Sequence, residues 1–330
     1  MLKYLLQRLL YMVLVLGIIS LVSFIVIQLP PGDYISSYIA QLSADGTTVS
    51  EEDIASLRRQ YGLDLPWYGQ YFKWIGKMMH GDFGQSFMWQ RPVAELLAER
   101  IPLTIFISIC TLGFTYLMAI PIGIYTATHQ YSIGDYFFTV IGFIGLATPN
   151  FLLALILMVG LFQMFGLSIG GLFSPQYVEA AWSFGKFLNL LAHLPIPIIV
   201  VGTSGTASII RIMRGSLLDE LKKQYVITAK AKGVPNKRLL LRYPVRIALN
   251  PIVSTIGNVL PRIVSGTVIT SIVLNLPTTG PLLFQALLNQ DMFLAGSIVM
   301  LLSFLTVLGM FLSDILLVIV DPRIKLEKRV

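Results

Sequence analysis

Long apolar stretches separated by short polar ones dominate this chain. A helix that crosses a bilayer needs roughly 20 mostly apolar residues. Six stretches meet that length, at about 9–29, 101–128, 136–165, 188–213, 249–274 and 293–320. They predict an all-α membrane protein with six transmembrane helices. Between the first two lies a far more polar segment, read as a large external loop, with Glu51-Glu52-Asp53, Arg58-Arg59, Trp67, Trp74 and Trp89. Helical spacing of Ile54, Leu57 and Tyr61 predicts short surface helices there rather than a seventh span. The expected organisation is therefore residues 1–100 as first span plus loop, 101–320 as a five-span core with a coupling segment at 214–248, and 321–330 as a tail.

Composition agrees with this pattern. Hydrophobic residues make up 55% of the 330 and charged ones 12%, about half the charged share of a soluble domain. The net charge of +7 raises nucleic acid as a partner. The basic residues, however, sit in short segments beside apolar spans rather than on a separate basic domain, which points to lipid and topology instead. Cys110 is the single cysteine and lies within a span, so no internal disulfide or cysteine-based zinc site is available. After the first span, Leu29-Pro30-Pro31-Gly32-Asp33 is no Ala-x-Ala cleavage site, and the N-terminus reads as a retained anchor. With that terminus inside, sixteen Lys and Arg residues fall in inward segments and seven in outward ones, which places both termini in the cytoplasm.

The densest basic segment lies between the fourth and fifth spans. Apolar Leu217, Leu218, Leu221 and Tyr225 share one helical face, with Lys222, Lys223 and Lys230 mostly off it. Gly233 suits a helix C-terminus and Pro235 the first turn of a second helix. The pattern predicts a helix–glycine turn–helix with eight basic residues from Lys222 to Arg246 against acidic Asp219 and Glu220. Such a loop can rest on anionic headgroups. It can also dock a cytoplasmic partner, for which the small-residue turn at 229–233 allows close approach.

The run Tyr225…Thr228-Ala229-Lys230-Ala231-Lys232-Gly233, followed by Arg242, Arg246 and Asn250-Pro251, resembles the permease signature of bacterial ATP-binding-cassette importers, in the form seen in the dipeptide/oligopeptide subfamily. Other motifs are similar to that subfamily in order and spacing. They include Arg8-Leu9-Leu10, Pro31-Gly32-Asp33, Tyr61-Gly62-Leu63-Asp64, Gly81-Asp82-Phe83-Gly84-Gln85-Ser86, Arg91-Pro92-Val93 and the closing Asp321-Pro322-Arg323. The resemblance implies a type I importer permease with a second homologous permease, two P-loop ATPase subunits that bind ATP and magnesium, and an extracytoplasmic solute-binding protein as partners. It also implies that Asp219, Glu220, Tyr225 and Thr228 through Gly233 engage the ATPase. The chain departs from the subfamily at Tyr243-Pro244, where His-Ala is expected, and at Ile247, where Asn is expected. Peptides are the implied solute, and the departures keep oligosaccharides as an alternative.

Catalytic chemistry is hard to find. His80, His129 and His193 lack metal spacing, and His193 reads as a satisfied interfacial histidine. No Gly-x-x-x-x-Gly-Lys-[Ser/Thr] run occurs, so the chain itself binds no nucleotide by a P-loop and implies no cofactor of its own. Ionisable groups inside spans are costly and mark function, and only Arg262 and Asp314 qualify. The small-residue run at 202–208 suits close helix packing, and equally suits a pathway lined by Gly202, Ser204, Gly205 and Ser208, with Arg262 nearby in function. Ala119, Gly123 and Ala127 repeat every fourth residue and predict packing alone. An autonomous carrier or channel would show inverted repeats with interrupted helices, and an intramembrane enzyme a catalytic pair at membrane depth. Neither stands out.

Overall fold

The computed structural model describes residues 2–28, 59, 64–86, 88–167, 169–256 and 268–320. The expected surface helix around Ile54, Leu57 and Tyr61, Arg262 and the 321–330 tail lie outside the described residues. The structure is helical, with one isolated bridge between Gln85 and Pro92 among the described residues. Among the described residues, four helices are long and apolar enough to cross a membrane: α1 (Leu2–Gln28), α3 (Val93–Thr128), α8 (Pro195–Leu221) and α14 (Met292–Val320). Along α1 and the third apolar stretch large apolar side chains remain uncovered, such as Leu10 at 66% exposure and Phe143 at 59%. Water would penalise such surface, and lipid does not.

The third apolar stretch, expected as one span over 136–165, is instead two helices, α4 (Ile133–Ala147) and α5 (Asn150–Phe165), bent by 105°. The cause is local. Pro149 has no N–H to continue the helical ladder, and it forces Thr148 before it into extended backbone at φ −85° and ψ 120°. The expected fifth span crosses the undescribed residues 257–267. On either side of them, residues 250–256 are helical and so are Val268–Val273.

The chain divides into two compact units. The first comprises Met1–Leu103 and Thr278–Val307. Here the amphipathic α2 (Trp67–Met79) packs on α1. Tyr71 meets Phe24 edge-on at 5.4 Å, Trp74 lies 5.8 Å from the same ring, and the Tyr71 hydroxyl is 2.7 Å from that of Ser20. The start of α3 (Val93, Leu96, Leu97) forms a core with α13 (Thr279–Leu288) and the start of α14, through Leu282, Ala286, Leu294 and Ile298. Asp291, fully buried just before α14, accepts hydrogen bonds from the Ser86 hydroxyl at 2.5 Å and from the amides of Met88 and Leu294 at 3.2 Å. It caps the helix and anchors the 84–92 hairpin in one stroke. Asp291→Ala removes the cap and strands buried donors. It is expected to lower stability by about 2 kcal/mol or more, read as a fall in the detergent-solubilised unfolding midpoint. Asp291→Asn, which keeps an N-cap acceptor, should lose less.

The second unit comprises Thr104–Pro277 and Leu308–Val330. It holds most of α3, then α4, α5, the short α6 (Pro175–Val178), α7 (Phe184–His193), α8, α9 (Gln224–Ala231), α10 (Asn236–Arg242), α11 (Pro244–Ala248) and α12 (Val268–Val273). The expected fourth span at 188–213 is shifted. Pro195 and Pro197 open α8, α7 stands before it as a separate helix, and α8 extends to Leu221. His193 Nδ1 lies 2.8 Å from the Asn189 carbonyl, so that ring is satisfied within its own helix.

Candidate coupling site

The continuous helix expected through Leu217, Leu221 and Tyr225 is broken. α8 ends at Leu221, Lys223 is extended at φ −75° and ψ 148°, and α9 begins at Gln224. Glu220 accounts for the bend. Its side chain is nearly buried, and a buried carboxylate demands donors. The Tyr225 hydroxyl donates to one oxygen at 2.6 Å, and the Lys223 ammonium lies 2.9 Å from the other. One donor stands in the break and the other just beyond it, and together they clamp it. Burial, and then the bond to Glu220, push the Tyr225 phenol well above its ordinary range, so it remains a donor at physiological pH. The structure thus brings together Glu220 and Tyr225, two of the residues singled out in the sequence. Tyr225→Phe removes one charge-assisted bond of about 1.5–3 kcal/mol. The expected result is amide exchange across 222–231 faster by about tenfold to a hundredfold, with exchange in α3 unchanged.

The end of α9 follows from Gly233. Its φ is +74°, the Gly233 amide donates to the Lys230 carbonyl at 3.0 Å, and the Val234 amide reaches back to Ala229 at 3.3 Å. This is the paired bonding of a Schellman turn, with glycine where left-handed backbone is required. Pro235 takes the N-cap of α10 rather than its first turn, one residue earlier than the sequence suggests. Thr228 back-bonds to the Gln224 carbonyl at 2.9 Å. Asp219, Lys230, Ala231, Lys232 and Gly233 are exposed and Ala229 is half-buried. Apart from its own backbone and its two chain neighbours, nothing lies within 4 Å of where a Gly233 side chain would begin. The turn is therefore a bare knob with a basic rim.

What stands behind the knob is the opposite. Leu217 on α8, Val245 and Ala248 on α11, and Ile252 beyond it share one buried core with Ala119 and Ala127 of α3, and Met213 sits at its centre. Both ends of the 222–243 segment are thus set into the same packed body, and packed cores transmit displacement because they do not compress. The Tyr243-Pro244 departure forms the elbow between α10 and α11, with Pro244 buried. That is a structural task and says little about solute.

Of the pathway candidates, Gly202 and Gly205 face α3. A side chain at Gly202 would begin 2.9 Å from the Phe114 ring, and one at Gly205 would begin 3.5 Å from Thr115. Ser204 and Ser208 are half-buried. The structure also shows a pair that sequence inspection missed, Asp135 at the start of α4 with Arg214 on α8. They are 79 residues apart in the chain, and nothing in their spacing links them.

Several apolar helices, with a bare basic knob backed by a packed core, define a multi-pass membrane component. The chain belongs to the family described as binding-protein-dependent transport system inner membrane component, whose model matches residues 119–326. The N-terminal model of the same kind of protein matches residues 1–108. It is 33% identical over 327 residues to the oligopeptide transport system permease protein AppB of Bacillus subtilis, covering 98% of this chain and 100% of that one. It is 30% identical to the oligopeptide permease OppB of Haemophilus influenzae over 98% of this chain and 100% of OppB. It is 29% identical to the dipeptide permease DppB of Escherichia coli K12, over 99% of this chain and 100% of DppB. The family is a transport component of ATP-driven importers and not itself catalytic, and membership implies an ATPase and a solute-binding protein as partners. The resemblance drawn from the sequence motifs is thereby shown.

Proposed function

We propose that this chain is one permease half of an ATP-driven peptide importer, with both termini cytoplasmic, six spans and a large external loop after the first. A second homologous permease completes the pathway, two P-loop ATPases bind ATP and magnesium, and an extracytoplasmic binding protein delivers the peptide. Peptide as the solute is supported by full-length similarity to permeases named for oligopeptides and dipeptides. The observation that carries the mechanism is the bare turn at 229–233 whose flanks are set into one core with α3 and α8. In this reading α9 seats in a groove of the ATPase. Closure of the ATPases moves it, and the core passes the motion to the spans, which alternate between outward- and inward-facing states.

Ser204 and Ser208 fit a lining role within that pathway. At about 100° per residue they share a face of α8 distinct from the one where Gly202 and Gly205 meet α3 and the one where Thr203 and Ala207 meet α4. The test is gentle purification of this chain from its native membrane with mass spectrometry of what accompanies it, followed by peptide screening of the binding protein recovered. A second permease and P-loop ATPases are the expected company. A chain that arrives alone and moves solute in liposomes without ATP would be a carrier instead.

A further inference from the structure

Helices α4 and α8 lie against each other through small residues at Gly142, Gly145, Thr203 and Ala207. A side chain added at Gly145 would begin 2.8 Å from the Thr203 methyl, and one at Gly142 would begin 3.9 Å from the Ala207 methyl. The Thr203 hydroxyl is spent on the Ile199 carbonyl of its own helix. Small facing residues let helices approach closely, but they offer few knobs to stop one helix from sliding along the other. At one end the contact changes character. The Arg214 guanidinium meets Asp135 with both ends of its fork, Nε to Oδ1 at 3.1 Å and Nη2 to Oδ2 at 2.9 Å. It is the one ion pair between these helices among the described residues. The Asp135 side chain is 4% exposed, and it also accepts the Tyr131 amide at 3.0 Å, in the turn that joins α3 to α4. The Ser132 hydroxyl caps the Asp135 amide at 3.1 Å, which fixes the carboxylate on its helix.

On α8, Arg214 adjoins Met213 and stands three residues before Leu217, both fully buried in the core that holds the coupling segment. The same two turns of α8 are thus packed to α3 and α11 on one side and pinned by charge to α4 on another. We propose that Asp135 and Arg214 are a register latch. It makes α4 move with α8 as one lever, so that motion delivered to α9 reaches the third apolar stretch as well as the fourth span. This rests on the coupling reading of α9 given above. Both are positioning residues, acting through the helices they join. A bidentate Arg–carboxylate pair suits the task because it fixes orientation as well as distance.

The test uses the reconstituted importer, with partner permease, ATPases and binding protein in liposomes. Asp135→Asn keeps size and loses the charge. It is expected to lower peptide uptake per ATP hydrolysed about tenfold, while hydrolysis itself stays within about twofold. A bridge can then replace the latch. The 3.9 Å separation at 142 and 207 lies in the range for β-carbons of a disulfide. Gly142→Cys with Ala207→Cys, in a Cys110→Ala background, should on oxidation restore uptake to the Asp135→Asn protein and leave the Asp135 protein unchanged. Reduction should abolish the rescue.

An oxidised bridge that arrests the Asp135 protein would show that the helices slide during transport, and would overturn the latch. So would Asp135→Asn losing uptake and hydrolysis together with no rescue, the result of a merely structural pair. If Asp135→Asn does not assemble, Arg214→Lys, which keeps the charge and loses the fork, takes its place in the same comparison. Failure of the coupling reading is distinct. It would appear as an importer unaffected by a bulky residue at Gly233, whatever the bridge does.

Discussion

Gly233→Trp is expected to abolish peptide uptake while leaving membrane insertion and abundance near the unmutated level. Two effects of the substitution separate cleanly. The left-handed backbone at φ +74° costs a side-chain-bearing residue about 1–2 kcal/mol. That strain falls on an exposed turn and leaves the core behind it intact. The side chain would start in open space, with nothing within 4 Å of its β-carbon beyond the adjacent residues. A large loss is therefore expected to come from whatever fills that space in the assembled importer. Gly233→Asn supplies the control. Asparagine tolerates left-handed backbone and adds little bulk, so uptake should remain within a few-fold of the unmutated protein. Uptake in whole cells and co-purification of the ATPase subunits are the two readouts. Both should collapse for Trp and persist for Asn. Normal uptake with Trp would remove the docking role from the 229–233 turn.

How much of this was readable beforehand varies with the range of the interaction. Helix type and approximate position follow from apolar runs: three of the expected spans, the first, second and sixth, appear as single long helices, and the fourth appears shifted. Local chemistry gave the Gly233 turn, because left-handed backbone after a helix has few alternatives to glycine. The bend at Pro149 was also local, yet the unbroken hydrophobicity on both sides of it masked the proline. The break at Lys222–Lys223 could not be read, because nothing in the spacing says that Tyr225 will fold back on Glu220. Long-range polar pairs were the least visible. Asp135 with Arg214 spans 79 positions and Ser86 with Asp291 spans 205. In a sequence each member is only a charge or a hydroxyl near the end of a span. A buried carboxylate is recognised by the donors around it, and those are assembled only by the fold.

Gly123 is the position where a single methyl group should matter most. It lies between Ala119 and Ala127 on the face of α3 that enters the coupling core. A β-carbon there would begin 2.6 Å from that of Met213, 2.8 Å from its γ-carbon and 3.2 Å from the Ile210 carbonyl. The first contact cannot be relieved by rotating the methionine, because a β-carbon is fixed by the backbone. The helices must separate, and overpacking of this kind costs about 1–3 kcal/mol even for alanine. Since α3 and α8 are held by close packing rather than by exclusion of water, the loss is not recovered by burying the added methyl in lipid. Gly123→Ala is expected to lower the unfolding midpoint of the purified protein and to cut uptake, and Gly123→Leu to prevent accumulation altogether. The clash predicts its own remedy. Met213→Ala retains the offending β-carbon and should not rescue Gly123→Ala. Met213→Gly removes it and should recover part of the stability, although a helix glycine itself costs about 1 kcal/mol and the Ile210 carbonyl stays close. Equal rescue by both substitutions would mean that the two backbones do not approach as closely as this packing requires, and the rigid link from α9 to α3 would lose its basis.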